Sequence, residues 1–140
     1  MNLLGQSCNM ARSWPCLPWS LESATPAELG RRAERAAERF LARRGLRTIA
    51  RNYRTRVGEI DLVMTHGNEI VFVEVRYRSR ADFGDGAATV DRNKQKRIIR
   101  AAQHYLHRRS DDVPCRFDVV SVARTHYRLR IEWIRNAFTP

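Results

Sequence analysis

Hydrophobic residues recur along this chain with two different spacings, and each spacing predicts a type of secondary structure. Between residues 26 and 44 the apolar positions lie three and four apart, which is the period of an amphipathic helix. Thr25 and Glu28 supply a capping box at the start of this helix, and Gly45 ends it. Residues 90–108 repeat the same period and predict a second helix.

Each predicted helix carries polar side chains beside its buried face. Glu34 lies on the margin of the apolar stripe of the first helix. Projecting the buried face of the second helix toward its N-terminus includes Lys94 and Gln95, and it leaves Lys96 and Arg97 on the solvent side. Polar groups can therefore enter the interior of the domain from both helices.

The remaining apolar segments have the patterns of β-strands. Residues 47–54 predict a first strand, and residues 58–80 predict a hairpin that turns at Gly67-Asn68. Residues 115–123 and 127–133 predict two more strands, of which the first is apolar enough to lie inside a sheet. The order is helix, three strands, helix and two strands, which predicts an α/β sandwich: a mixed central β-sheet flanked by helices.

The length of the chain and its other segments limit its organisation. Residues 1–24 show neither spacing and are expected to be a poorly ordered N-terminal extension. Residues 25–138 are expected to form a single domain, because 140 residues suffice for one core and not for two ordinary domains. There is no apolar run of about 20 residues, no secretory signal pattern and no cysteine pair with disulfide or zinc spacing. We therefore expect a cytoplasmic protein without a membrane partner.

Charge adds an expectation about partners. The chain has 26 basic and 15 acidic residues, a net charge of +11. All of the basic residues except Lys94 and Lys96 are arginines. Such an excess favours an anionic partner, most often nucleic acid, although an arginine-rich surface that serves only solubility has the same composition.

Acidic residues interrupt the apolar pattern of the predicted hairpin. If Gly67-Asn68 closes it symmetrically, Asp61 faces Glu74 and Glu59 faces Arg76, all on one side of the sheet. The other side then carries Ile60, Leu62, Met64, Val71, Val73 and Val75. Opposed, half-buried carboxylates raise each other's affinity for protons, so that a cation is needed beside them.

A divalent metal ion, Mg²⁺ or Mn²⁺, is the cation that this acidic pattern favours. Asp61 and Glu74 would hold it, the backbone carbonyl of Val75 could add an oxygen, and Glu34 could join if the first helix packs on the acidic side. The alternative is structural. Glu59 would then form an ordinary ion pair with Arg76, and an arginine would satisfy Asp61.

Several segments together resemble a known protein family. These segments are GEIDLV (58–63), FVEVRYRS (72–79), VDRNKQKRI (90–98), CRFDVVSV (115–122) and IEWIRNAF (131–138). They resemble the YraN family, bacterial proteins of the PD-(D/E)-x-K nuclease superfamily, over about residues 27–138. This superfamily includes restriction endonucleases and archaeal Holliday junction resolvases. The resemblance implies a restriction-endonuclease-like fold, metal binding by Asp61 and Glu74, and Glu34 as the third acid.

The chain departs from the superfamily pattern at Arg76, where a lysine is expected. Arginine stays protonated, so Arg76 can stabilise charge on a phosphate and cannot act as a general base. Lys94 could be a lysine displaced from the strand to the second helix, or it could simply bind phosphate. Gln95 and Glu59 are candidates for supporting roles, and Asp118 could orient an arginine from behind.

These residues predict a metal-dependent endonuclease that hydrolyses phosphodiester bonds in DNA or RNA, with branched or single-stranded sites as candidate substrates. Its catalytic candidates are Asp61, Glu74, Arg76, Glu34 and Lys94. Its candidates for contacting nucleic acid are Arg31, Arg35, Arg78, Arg80, Lys94 and Lys96. Two alternatives stay open: an inactive nucleic-acid-binding module on a nuclease scaffold, and a basic adaptor for an acidic protein. A homodimer, as in resolvases, is a further alternative.

Overall fold

A computed structural model describes residues 24–78, 90–109, 112–125 and 128–140. The elements follow the predicted order: α1 (Pro26–Ala42), β1 (Arg47–Arg54), β2 (Glu59–His66), β3 (Glu69–Arg78), α2 (Arg92–His107), β4 (Cys115–Thr125) and β5 (Arg128–Phe138). The last strand extends past its predicted end to Phe138. The expected N-terminal extension lies outside the described residues, apart from Ala24.

The strands form one sheet in the order β1-β2-β3-β4-β5. Neighbouring strands are antiparallel, except that β3 and β4 are parallel. A parallel pair needs a crossover connection, and α2 lies in the connection between these two strands. The prediction of a mixed sheet with β4 in its interior is confirmed, and the architecture is consistent with a restriction-endonuclease-like α/β fold.

Side-chain caps begin both helices. The backbone N–H of Thr25 donates to Glu28 at 2.8 Å, and the Glu28 backbone N–H donates to the Thr25 hydroxyl at 3.3 Å, which confirms the predicted capping box. At α2, Asp91 accepts from the backbone N–H groups of Asn93 and Lys94. Neither helix has the length and hydropathy that crossing a bilayer requires.

The two helices cover opposite faces of the sheet. Buried alanines of α1 pack against one set of strand residues, Leu62, Met64, Val71, Val73, Val120 and Val122. Ile98, Ala101 and Ala102 of α2 pack against another set, Ile60, Val63, Ile70, Phe72, Phe117 and Val119. The prediction that Ile60 shares a face with Leu62 is therefore wrong, because β2 does not alternate regularly between these two residues.

The irregularity in β2 coincides with the point where β2 and β3 separate. Their pairing runs from His66–Glu69 to Leu62–Val73, as the symmetric turn predicts. Beyond that point β2 pairs with β1 down to Glu59, and β3 pairs with β4 up to Arg78. The start of β2 bends toward α2, since Gly58 lies against the backbone of Arg97. The strands thus leave a place for polar side chains between them.

Candidate active site

Asp61 lies at the point where β2 leaves β3. Its Oδ2 accepts a hydrogen bond of 2.7 Å from the backbone N–H of Val75 in the neighbouring strand. The carboxylate thus satisfies a donor of β3 beyond the last paired residues of the two strands. The contact with Val75 is made through its N–H, whereas the sequence suggested its carbonyl oxygen as a metal ligand.

The surroundings of Asp61 favour its protonated form. Burial is the largest cause that raises the pKa of this carboxyl to about 7, and the charge of Glu74 is the second. The charge of Glu34 adds to the rise, while the Val75 N–H and the Lys94 ammonium act in the opposite direction. The three acids and the lysine predicted for the site therefore interact electrostatically at Asp61.

Glu74 is the most deeply buried acid of the group. Its side chain is 2% exposed, and its Oε1 forms an ion pair with the Lys94 ammonium, whose side chain is 41% exposed. Lys94 belongs to the first turn of α2, on the face of the sheet to which Glu74 points. This confirms that Lys94 projects inward from the helix, as the periodicity predicted, and it gives the buried carboxylate a cation.

Arg76 lies near the beginning of the same helix. The pKa of Asp91, the N-cap residue of α2, is lowered first by the Lys94 backbone N–H and also by the charges of Arg76 and Lys94. Both cationic side chains therefore act at the N-terminal end of α2, where the helix dipole already favours anions. This end of the helix brings positive charge next to the acidic pair.

Glu34 approaches Asp61 from a different direction than the sequence suggested. Its helix packs on the face that carries Leu62 and Val73, while Glu74 points to the opposite face. The condition under which Glu34 could join the metal site, that the first helix packs on the acidic side, is therefore not met. Glu34 instead accepts a hydrogen bond of 3.3 Å from the Asn52 amide, and Asn52 lies in β1 opposite Asp61.

The donor set fits a metal ion held by two carboxylates. No three His, Cys, Asp or Glu side chains are gathered closely enough to share an ion among the residues that the structure describes. Asp61 and Glu74 remain as a pair of partly or fully buried acids that repel each other. Magnesium typically uses one or two protein carboxylates, so this pair is chemically suited to it. The third acid, Glu34, is not part of a preformed cluster.

The two residues predicted to support the site have other partners. Glu59 forms a long ion pair of 3.7 Å with Arg54 of β1, and both side chains are largely exposed. The prediction that Glu59 faces Arg76 is wrong, because β2 and β3 have separated before these positions. Gln95 donates to the backbone carbonyl of Val90 at 2.8 Å and so helps to fix the entry into α2.

The described residues that were predicted to contact nucleic acid lie on α1, α2 and β3. Arg31 and Arg35 are exposed on α1 and line a cleft of about 360 Å³ together with Glu34, Glu38, Arg51, Asn52 and Leu62. Lys96 is exposed on α2, and Arg78 is half-buried at the end of β3. Arg80 lies outside the described residues.

Comparison with known proteins assigns the chain to a family. The model of the uncharacterised protein family UPF0102 matches residues 33–122. The chain belongs to the UPF0102 family. UPF0102 proteins of Saccharophagus degradans and Nitrosospira multiformis are each 50% identical to it, over 80% and 78% of this chain and 93% and 91% of their own lengths. A UPF0102 protein of Pseudomonas putida is 44% identical over 84% of this chain and 98% of its own length.

Membership of UPF0102 confirms the family resemblance and leaves the activity open, because the family name describes its members as uncharacterised. The matched region includes Glu34, Asp61, Glu74, Arg76 and Lys94. It also includes both helices apart from the first turns of α1. The candidate active site therefore lies within the part of the chain that defines the family.

Sequence reasoning missed Asn52, which connects the first helix to Asp61. Asn52 adopts a left-handed backbone conformation, with φ of 49°, inside β1. As a result Arg51 and Asn52, although consecutive, both reach α1, where they bond to Glu38 and Glu34. Asparagine is rare inside strands and tolerates this conformation better than most residues. An asparagine within the predicted first strand could therefore have indicated an irregular backbone at this position.

A second polar cluster lies in the buried part of β4. The fully buried Asp118 accepts hydrogen bonds from the Arg116 guanidinium, the Trp133 indole N–H and the Asn136 backbone N–H. Arg116 also forms an ion pair with Glu69. The expectation that Asp118 orients an arginine is confirmed. Because Arg116 lies in β4 beside Val71 and not beside Glu74, this cluster connects β3, β4 and β5 and is separate from the candidate active site.

Proposed function

We propose that this UPF0102 protein is a metal-dependent nuclease that hydrolyses phosphodiester bonds in nucleic acid. The observation that supports the proposal is the pair of carboxylates at Asp61 and Glu74, which lie in a poorly solvated place with cationic side chains beside them. Asp61 is an acid whose pKa is raised by burial and by the charge of Glu74, and residues with such a raised pKa cluster in active sites.

In this proposal Asp61 and Glu74 hold Mg²⁺ or Mn²⁺. Such an ion supplies positive charge to the scissile phosphate and makes water more acidic. Arg76, near the N-terminal end of α2, stabilises the negative charge that develops on the phosphate, an effect that is often worth about 3 kcal/mol. Lys94 adds a second cation from the same end of the helix.

The substrate in this proposal is DNA or RNA gripped through its backbone. Arg31 and Arg35 line the cleft between α1 and β1, which also contains Glu34, Asn52 and Leu62, the residue that follows Asp61. Contacts of arginine with phosphate give affinity without reading sequence, which suits a substrate recognised by its shape, such as a branch or a single-stranded flap.

The test is a cleavage screen over duplex, flap, fork and four-way DNA and their RNA counterparts with Mg²⁺ or Mn²⁺. We expect metal-dependent cleavage by the wild-type protein and a loss of at least about 10²-fold in Asp61→Asn and Glu74→Gln, because each variant removes a charge that holds the ion. Nucleic-acid binding should persist in both variants. Cleavage that survives both substitutions would contradict the assignment of the site.

A specific observation also favours a second candidate, a nucleic-acid-binding module without turnover. Arg76 stands where the superfamily has a lysine, and within the described part of the chain the three acids are not gathered around one point. In that case no substrate is cut with any metal, and binding is unchanged by Asp61→Asn. Restoring the lysine with Arg76→Lys distinguishes the two, since a scaffold that has lost only this group should gain activity.

A further inference from the structure

The ion pair between Lys94 and Glu74 has an unequal environment at its two ends. The Glu74 side chain is 2% exposed, whereas that of Lys94 is 41% exposed. A carboxylate this deeply buried is costly without a cation, so Lys94 is the group that makes the ionised form of Glu74 tolerable. The lysine itself keeps access to solvent and does not depend on Glu74 for its solvation.

The single positive charge of Lys94 lies near two carboxylates, those of Glu74 and Asp61, while Arg76 acts at the same end of the helix. Asp61 lies next to Glu74, and the hydrogen bond that its carboxylate accepts comes from a neutral group, the backbone N–H of Val75. Lys94 is close enough to Asp61 for the two charges to interact, but its ion pair is with Glu74. A doubly charged ion would balance both carboxylates, which Lys94 cannot do.

The geometry points to Lys94 as a placeholder. We propose that the Lys94 ammonium occupies the position at Glu74 that a divalent metal ion takes, and that metal binding displaces it toward the phosphate of the substrate. This inference rests on the proposed function, because it assumes that Asp61 and Glu74 hold the ion. It adds an exchange of cations at Glu74 that links metal binding to substrate binding.

The position of Lys94 suits such an exchange. It lies in the first turn of α2, where backbone N–H groups and the helix dipole favour an anion. Arg76 acts at the same end of the helix, through its charge on Asp91. The lysine stem is long and flexible, so that its ammonium can leave Glu74 for a phosphate at the helix end while the helix stays in place.

The chain offers a direct measurement, because Lys94 and Lys96 are its only lysines. Reductive methylation of the full-length protein with ¹³C-formaldehyde gives one dimethylamine NMR signal from each lysine and one from the amino terminus. Lys96→Arg assigns the two lysine signals. Lys96 is exposed two residues away on the same helix and serves as the internal control.

Titration with Mg²⁺ tests the exchange. We expect the Lys94 signal to shift with saturation as the ion binds, the Lys96 signal to stay in place, and Asp61→Asn to abolish the shift. Binding of the ion is followed separately by the loss of the free Mn²⁺ signal in electron paramagnetic resonance. Metal binding that leaves the Lys94 signal unmoved would overturn the exchange and leave the proposed nuclease intact.

A pair of variants gives a second readout. If Lys94 and the ion compete for Glu74, removing the ammonium in Lys94→Met should strengthen Mn²⁺ binding by at least about fivefold, the lower end of typical coupling between ligands. Lys96→Met should leave the affinity unchanged. Equal affinities in both variants would overturn the proposal. Should Lys94→Met not fold, Lys94→Arg keeps the charge and is expected to bind Mn²⁺ more weakly than the Lys96→Met variant does.

Absence of any Mn²⁺ binding by the wild-type protein has a different meaning. It would contradict the proposed function itself and with it the premise of the exchange. The two failures are therefore distinguishable. If the ion binds and the Lys94 signal does not shift, the exchange alone is contradicted. If no ion binds, the metal site itself is contradicted.

Discussion

At the scale of single residues, the molecule tolerates two costly features at its candidate active site. Asp61 is an acid whose surroundings oppose its ionisation, and Asn52, opposite it in β1, has a left-handed backbone. The Asp61 carboxylate satisfies the Val75 N–H and Asn52 bonds to Glu34, but a regular pair of β-residues would extend the ladder without a buried carboxyl group or a strained backbone. Their proximity indicates that this part of the sheet is shaped for a purpose other than stability.

The raised pKa of Asp61 predicts a pH dependence of folding. The folded carboxyl has a pKa of about 7, above the value of 3.8 expected in the unfolded chain. Between these values the native state binds more protons, so the contribution of Asp61 to stability falls as the pH rises through this window. Asp61→Asn keeps an oxygen for the Val75 N–H and removes the charge. We expect it to raise the melting temperature by on the order of 5 °C at pH 8 and to change it little at pH 4.

Thermal melts of both proteins between pH 4 and pH 8 measure this difference. Other acids, such as Glu38, have lowered pKa values and produce the opposite slope, so only the difference between the two proteins isolates Asp61. Mg²⁺ provides the control: at pH 8 it should stabilise the wild-type protein more than the variant. A constant difference across the pH range would contradict the raised pKa.

At the scale of elements, the separation of β2 from β3 is what creates the site. The part of β2 before Leu62 pairs only with β1, and the part of β3 after Val73 pairs only with β4. The start of β2 can bend toward α2 because Gly58 has no side chain at the contact with Arg97. This close approach holds the strand that carries Asp61 against the helix that carries Lys94.

Gly58→Ala is therefore expected to destabilise the protein. A β-carbon at this position would lie 2.8 Å from the carbonyl carbon of Arg97, and neither backbone can move without disturbing a strand or a helix. We expect a decrease of about 1–3 kcal/mol in the free energy of unfolding, the usual cost of overpacking, seen as a lower denaturation midpoint in urea. Gly30→Ala is the matched control, because no atom lies within 4 Å of its added β-carbon and it is inside α1. It should stabilise the protein by up to about 1 kcal/mol.

At the scale of the whole molecule, the chain has a large excess of positive charge, with a net charge of +11. Arg31 and Arg35 of α1 line a cleft with Glu34, and Lys94 of α2 forms an ion pair with Glu74. A polyanion drawn in by this field would meet the carboxylates of the candidate active site only after the arginines have neutralised part of its charge. Under the proposed function, this distribution would draw a nucleic-acid backbone toward the site.

The proposed function predicts that Arg31 and Arg35 account for part of the salt dependence of nucleic-acid binding. Replacing Arg31 and Arg35 with glutamine should weaken binding to nucleic acid and reduce the slope of log K against log salt by about 2, one for each phosphate that is no longer neutralised. Arg39→Gln with Arg43→Gln is the matched control, since Arg39 is exposed on α1, Arg43 is exposed at the C-cap of this helix, and neither lines the cleft. Fluorescence anisotropy at several salt concentrations measures the slopes. Equal slopes for the two double variants would exclude the cleft as the binding surface.

The amino-acid sequence alone determined the order of the elements, the capping box at Thr25, the turn at Gly67-Asn68 and the register that it sets. It also predicted that Lys94 points inward, because helical periodicity is a local property that neighbouring residues fix. The acidic residues that interrupt the hairpin pattern indicated Asp61 and Glu74, and the family resemblance implied the same two residues.

Only the tertiary structure decided how far these patterns continue. The hairpin register ends at Leu62 and Val73, so that Glu59 and Arg76 do not face each other and Ile60 turns to the other side. The face of the sheet on which α1 packs, and hence the path of Glu34, depends on contacts between distant segments that no local period encodes. The same holds for the bend at Gly58 and for the left-handed Asn52, because strain at one residue persists only where the packing around it compensates.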